Sequence, residues 1–157
     1  MEKVMLCTVI GEGPDELIFG YDEDHYHCAQ MKYKLVSAIR GLMADGCIEF
    51  VSTLEEGASL WGAEACIAIK QLGGNLRLIG APISEKQCER WHPERRERYF
   101  SALELCDSVI APKGDCFGED YVFANATHII LLGTPEKPRI GGLLRRALSV
   151  GAVIIKP

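Results

Sequence analysis

Six short apolar runs alternate with five segments of helical periodicity, and this alternation limits what the chain can fold into more than any other feature. Lys3 to Ile10, Ile48 to Val51, Leu76 to Gly80, Asp107 to Ala111, Thr127 to Leu132 and Val150 to Ile155 read as strands. Between them lie helical patterns over about Asp24 to Ala44, Ala58 to Leu72, Pro93 to Cys106, Gly118 to Asn125 and Ile140 to Leu148. In the first of these Met31, Leu35, Ile39 and Leu42 recur every three or four positions, and Asp45-Gly46 stops the helix. Pro93 suits a first helical position. The connections are short, and there is no repeat or internal linker. Such alternation gives a parallel sheet with helices on both faces and right-handed crossovers. The expectation is one three-layer α/β domain over residues 1–157, with a mainly parallel sheet of five to seven strands. Ligands on such sheets bind beyond the carboxyl ends of the strands, near the switch in strand order. Gly11, Ser52, Pro82 and Gly141 all fall on that edge.

The stretch from Phe50 to Glu64 is the most informative of the edge segments. Ile48, Phe50 and Val51 are strand-like, Ser52 and Thr53 mark the strand end, and Gly57 allows close backbone approach or a positive φ before the helix. A helix start after a strand offers free N–H groups and a dipole end that attract anions, phosphate above all. An ordinary strand-to-helix turn with no ligand fits the same residues. Gly11, Ser52, Thr53, Gly57, Gly141 and Gly142 are expected to converge on one cleft, with helix starts at Gly57 and Gly142 aimed into it. Bulk at Gly57 (Gly57→Val) is expected to block that cleft without unfolding the domain.

The net charge of −5 argues against broad binding to nucleic acid or to anionic membrane. No apolar run approaches a membrane span of roughly 18 residues. The start, Met1 to Cys7, lacks the layout of a signal peptide, so a cytoplasmic location is expected. The seven cysteines (Cys7, Cys28, Cys47, Cys66, Cys88, Cys106 and Cys116) are scattered without CxxC or Cys/His spacing. That pattern fits free thiols in a reducing compartment, with no disulfide and no zinc site. His25 and His27 are two apart, which does not suit a metal pair on one helical face, and His128 in its apolar strand reads as a core residue. Ser84 to Arg98 is the most charged segment and reads as a solvated face, within which Trp91 is either a packing anchor or a stacking surface.

Several of these motifs, taken together and in order, resemble the YpsA-like (YoqJ-like) family of uncharacterised bacterial proteins. That family belongs to the SLOG superfamily of Rossmann-like domains, with the LOG-type nucleotide hydrolases and the DNA-processing protein A proteins. Gly11-Glu12-Gly13-Pro14 stands where the family tends to have Gly-His-Arg-Pro, and Phe19-Gly20-Tyr21-Asp22 is similar to its next segment. Ser52, Gly57, Trp61, Ala63 and Glu64 match its Ser-Gly-x-x-x-Gly-x-Asp-x-Trp-x-Ala-Glu. Pro82, Gln87, Trp91 and Tyr99 resemble its Pro-Phe…Gln…Trp…Arg-Tyr run, and Gly141-Gly142 its Gly-Gly-Thr. The resemblance implies a nucleotide or nucleotide-derived ligand at the C-terminal edge of a Rossmann-like sheet. The ligand residues would be Gly11, Ser52, Thr53, Gly57, Gln87, Trp91, Gly141 and Gly142, with Arg139, Arg145 or Arg146 adding charge.

The chain also departs from the pattern. Glu12-Gly13 replaces His-Arg, Thr53 replaces a glycine, Ser59 an aspartate and Leu143 a threonine, and a family carboxylate before the fifth strand is lost around Ala124 to Thr127. The Gly-Gly-x-Gly-Thr-x-x-Glu segment of LOG-type hydrolases has no counterpart in Leu143-Leu144-Arg145-Arg146, and no residue after Glu136 is acidic. Glycoside-bond hydrolysis needs placed carboxylates. The reading therefore leans away from an enzyme, with Glu64 as the one weak catalytic candidate. A nucleoside-monophosphate hydrolase, a single-stranded DNA binder (against the overall acidity) and a degenerate scaffold without ligand are the alternatives. Assembly into a homo-oligomer is left open.

Overall fold

A computed structural model describes residues 4–157 of the chain. Eleven elements follow in the order β1 (Leu6–Gly11), α1 (Tyr26–Ala44), β2 (Glu49–Ser52), α2 (Ala58–Gln71), β3 (Arg77–Gly80), α3 (Pro93–Glu104), β4 (Ser108–Val109), α4 (Phe117–Asn125), β5 (His128–Leu132), α5 (Pro138–Ser149) and β6 (Val153–Ile155). The six strands form one sheet in the order β4-β3-β2-β1-β5-β6. Every pairing is parallel. The expected fold class is thus what the chain adopts, a three-layer Rossmann-like α/β domain.

The pleat of β1 explains the layers, because alternate side chains of a strand point to opposite faces. Cys7 and Val9 join a core with Leu35 and Ile39 of α1, Leu60 and Trp61 of α2 and Tyr99 of α3. Leu6 and Ile10 join a second core with Val122 and Phe123 of α4 and Ile140 and Ala147 of α5. Helices α1 to α3 therefore cover one face and α4 and α5 the other. The chain builds outward from β1 through β2 and β3 to β4, then crosses to β5 on the opposite side of β1. The strand order switches between β1 and β5.

Element ends differ from the sequence reading in physically simple ways. Lys3, assigned to the first strand, lies outside the described residues. Helix α5 begins at Pro138, not Ile140, because a proline without an N–H fits the first turn as well as a loop. Strand β4 keeps only Ser108–Val109. Asp107 ahead of it turns its carboxylate to the Leu78 N–H at 2.7 Å and to Lys70. Cys7, Cys28, Cys47, Cys66 and Cys88 are buried thiols, Cys106 is half-buried and Cys116 exposed, and none is paired. Burial pushes the Cys66 thiol up to about 12, which keeps it protonated and unreactive. No described helix is long and apolar enough to cross a membrane.

Helix α2 sits close on β1 because Gly62 carries no side chain; a Cβ there would lie 2.7 Å from both Cβ and Cγ2 of Val9. Gly62→Ala gains about 0.5–1 kcal/mol of helix propensity but overpacks a branched neighbour, which costs about 1–3 kcal/mol. The expected net effect is a loss of about 1–2 kcal/mol in urea unfolding. A variant at least as stable as the parent would show that the contact is not tight.

Candidate functional site

The loops at the carboxyl ends of β1, β2, β3 and β5 enclose a groove of about 570 Å³. It lies beside the β1/β5 switch, where the residues after the strands diverge to opposite faces and leave a crevice. Its lining includes Gly11, Ser59, Gln87, Trp91 and Arg139, together with the carboxylates of Asp15, Glu16, Glu55 and Glu56.

The β2–α2 connection is locked before any ligand is considered. Ser52 is buried, and its hydroxyl accepts the Leu54 N–H at 3.0 Å and donates to the Ser59 carbonyl at 2.9 Å. Ser59 in turn donates its hydroxyl to the Val9 carbonyl at 3.1 Å. Leu54 is held at φ 62° with its side chain wholly buried. A branched residue in that left-handed region costs about 1–2 kcal/mol, so the surrounding bonds over-determine it. Thr53 is buried and donates its hydroxyl to Glu55 at 3.4 Å. The two hydroxyls at the strand end thus organise the loop and are not presented to the groove.

Gly57 adopts φ 93°, and a Cβ there would lie 2.4 Å from the Glu12 carbonyl oxygen. The N–H of Ala58 donates to that same carbonyl at 3.1 Å. The expected phosphate-facing helix start is therefore capped by the chain's own backbone. The substitution Gly57→Val would collide with the β1–α1 loop instead of merely filling a cleft.

At the start of α5 it is the side-chain cations that are engaged. Lys137 pairs with Glu12, which is 6% exposed, and donates to the Glu16 carbonyl at 2.6 Å. Arg139 clasps the Glu16 carboxylate through Nε at 3.1 Å and reaches the Gly11 carbonyl through Nη2. That hydrogen bond from Arg139 holds the Glu16 carboxyl below its ordinary range. Gly141 and Gly142 lie in the first turn and a half of α5 and do not line this groove. A Cβ at Gly141 would sit 2.6 Å from the Pro135 carbonyl oxygen, so its smallness serves the neighbouring loop. Arg146 lies over Phe123 and pairs with Glu119 and Asp120. Of the proposed cations, only Arg139 reaches the groove.

Gln87 lines the groove while its amide bridges two loops, donating to the Thr53 carbonyl at 2.9 Å and accepting the Ile83 N–H at 2.8 Å. Trp91 lines it too, braced edge-on by Tyr99 at 5.6 Å. Glu64 is gripped by Arg98, with Nε to Oε2 at 2.7 Å and Nη2 to Oε1 at 2.6 Å. Arg98 also binds Glu23, and Glu23 binds Lys32 at 2.5 Å. Glu64 is thus a structural partner tying α2 to α3 and to the β1–α1 loop, and it does not line the groove.

The sequence reading missed Glu55 and Glu56. Burial pushes both carboxyls above the ordinary range, against the pull of Arg139 on Glu55 and of Arg95 on Glu56. Their signal was present as an acidic pair just before a helix start beyond a strand end. Among the described residues, no group of three or more His, Cys, Asp or Glu side chains is placed to hold a metal ion.

Ser52→Ala leaves the buried Leu54 N–H without its acceptor, and a loss of about 1–3 kcal/mol is expected in chemical denaturation. An unchanged midpoint would mean that water replaces the hydroxyl. Acid stability depends on Glu23. Burial opposes its charge, yet hydrogen bonds from Arg98 and Lys32 bring it from 4.5 down to about 2. The folded state binds this proton more weakly than the unfolded chain, so the stabilisation is full above pH 4.5 and is lost as pH falls toward about 2. Glu23→Gln should flatten the loss of stability across that window, and parallel curves for parent and variant would refute the assignment.

No protein-family model matches the chain, and no curated protein is significantly similar to it.

Proposed function

We propose that the groove binds a nucleotide-derived small molecule and recognises it mainly through its nucleoside part. The observation that carries this reading is the groove itself. It opens at the C-terminal edge of a parallel sheet beside the switch in strand order, where such folds take their ligands. The motif resemblance to the YpsA-like family supports the same class of ligand. The electrostatics favour the sugar and base over the phosphate. Four carboxylates line the groove against Arg139, whose guanidinium is already engaged by Glu16 and the Gly11 carbonyl. Carboxylates at this edge suit the hydroxyls of a ribose, which donate hydrogen bonds. Trp91 and Tyr21 offer aromatic surface at the same opening.

Hydrolysis of the ligand's glycosidic bond is a second reading, favoured by Glu55. Its carboxyl is raised by burial and lies in the groove, as a proton donor to a leaving group requires. Isothermal titration with paired nucleosides and nucleoside monophosphates tests the binding. The nucleoside is expected to bind at least as tightly as its monophosphate, and Tyr21→Ala should weaken it roughly tenfold, the equivalent of about 1.4 kcal/mol of stacking. Absence of binding by either at millimolar concentration would end the proposal and leave a scaffold without ligand.

A further inference from the structure

A second cavity, of about 370 Å³, adjoins the groove and shares Pro14, Tyr21 and Glu56 with it. Its volume lies within the roughly 300–1,000 Å³ of small-molecule sites. Leu17, Leu60 and Trp61 give it an apolar floor. Two guanidinium groups reach it, and they differ in kind. Arg98 makes four hydrogen bonds to Glu23 and Glu64. Arg95 lies over the Tyr21 ring at 4.2 Å, and its Nε is buried without a hydrogen-bond partner. The Glu56 carboxylate is 3.3 Å from that nitrogen, in ion-pair contact but out of line for a hydrogen bond. The Arg95 side chain is still about a third exposed (35%) and lines the cavity, and its outer guanidinium nitrogens make no hydrogen bond among the described residues, so those N–H groups, beside the Glu56 carboxylate, are the donors that a ligand there can reach.

Resting on the nucleoside reading above, we propose that this cavity takes the base, and that Glu56 and Arg95 select the lactam edge of guanine or hypoxanthine over the amidine edge of adenine. A lactam presents a ring N–H beside a C=O. The N–H donates to the Glu56 carboxylate, and the carbonyl accepts from the Arg95 guanidinium. Both protein groups are then satisfied by one planar edge. Adenine reverses the pattern. Its ring nitrogen would set a lone pair against the carboxylate, and its amino group would set N–H against the guanidinium. Each mismatch leaves a charged group unpaired, which rejects the wrong base more strongly than lost contact would. The apolar floor and the Tyr21 ring hold the faces of either purine alike, so the edge decides.

Isothermal titration of the whole chain with guanosine, inosine and adenosine tests this. Guanosine and inosine are expected to bind at least about tenfold tighter than adenosine, the effect of a hydrogen bond to a charged group. Glu56→Gln should bring that ratio within about threefold, because an amide serves either edge. Glu94→Gln, in the same cavity but outside the pair, should keep it. Adenosine binding as tightly as guanosine, or a preference that survives Glu56→Gln, would overturn the base assignment and leave the nucleoside site standing. If no nucleoside binds, the functional reading itself fails and this inference falls with it. The ratio in the parent protein decides the matter even if a variant fails to fold.

Discussion

The carboxylates of Glu12 and Glu16 lie on Lys137 and Arg139, and the rest of the sheet edge depends on that exchange of charge. Glu12 is almost fully buried, and a buried carboxylate is tolerable only beside a cation. The pairing therefore ties the loop after β1 to the start of α5 across the point where the strand order switches. With that loop fixed, the Glu12 carbonyl caps α2 at Ala58, and its backbone closes on Gly57, where no side chain would fit. The Gly13 N–H is taken by Glu16. The Gly13 and Ala58 N–H groups and the Lys137 and Arg139 cations, groups of the kind that such a fold commonly offers to a phosphate, are here engaged by the protein's own anions and carbonyls.

What remains open at the edge has a different chemistry. Acidic side chains, two aromatic rings and one engaged arginine face the groove, a surface better matched to hydrogen-bond donors than to a dianion. The neighbouring cavity is framed by a second charge network in which Arg98 joins Glu64 of α2 to Glu23 of the β1–α1 loop. That network gives Glu64 a structural role and immobilises the wall carrying Trp61. The strained Leu54, pinned by Ser52, sets the direction in which Glu55 and Glu56 leave β2. Glu55 then lines the groove, and Glu56 lines both openings.

The fold was legible in the sequence because its signals are local and repeated. Apolar runs of strand length, helical periodicity and short turns recur, and a parallel sheet covered on both faces follows from their alternation. The position of the ligand edge followed from the same logic, since every loop after a parallel strand falls on one side. Gly11 lines the groove as that logic implies, Gln87 and Trp91, carried by the motif resemblance, line it too, Gly57 lines the adjoining cavity while packed against the Glu12 carbonyl, and Ser52 and Gly141 lie off both openings. A serine at a strand end looks the same in sequence whether its hydroxyl faces a ligand or a carbonyl from the next helix. A glycine looks the same whether backbone or phosphate approaches it.

The sequence by itself determined the architecture, the sheet edge and the thiol chemistry, because burial patterns and spacing encode which residues share a face. Only the tertiary structure decided the charge of the site. Glu12 and Lys137, or Glu16 and Arg139, stand more than a hundred residues apart along the chain, and nothing local foretells that they neutralise each other. Electrostatic character at a crevice is a sum over loops from different strands, fixed only when the sheet brings those loops together.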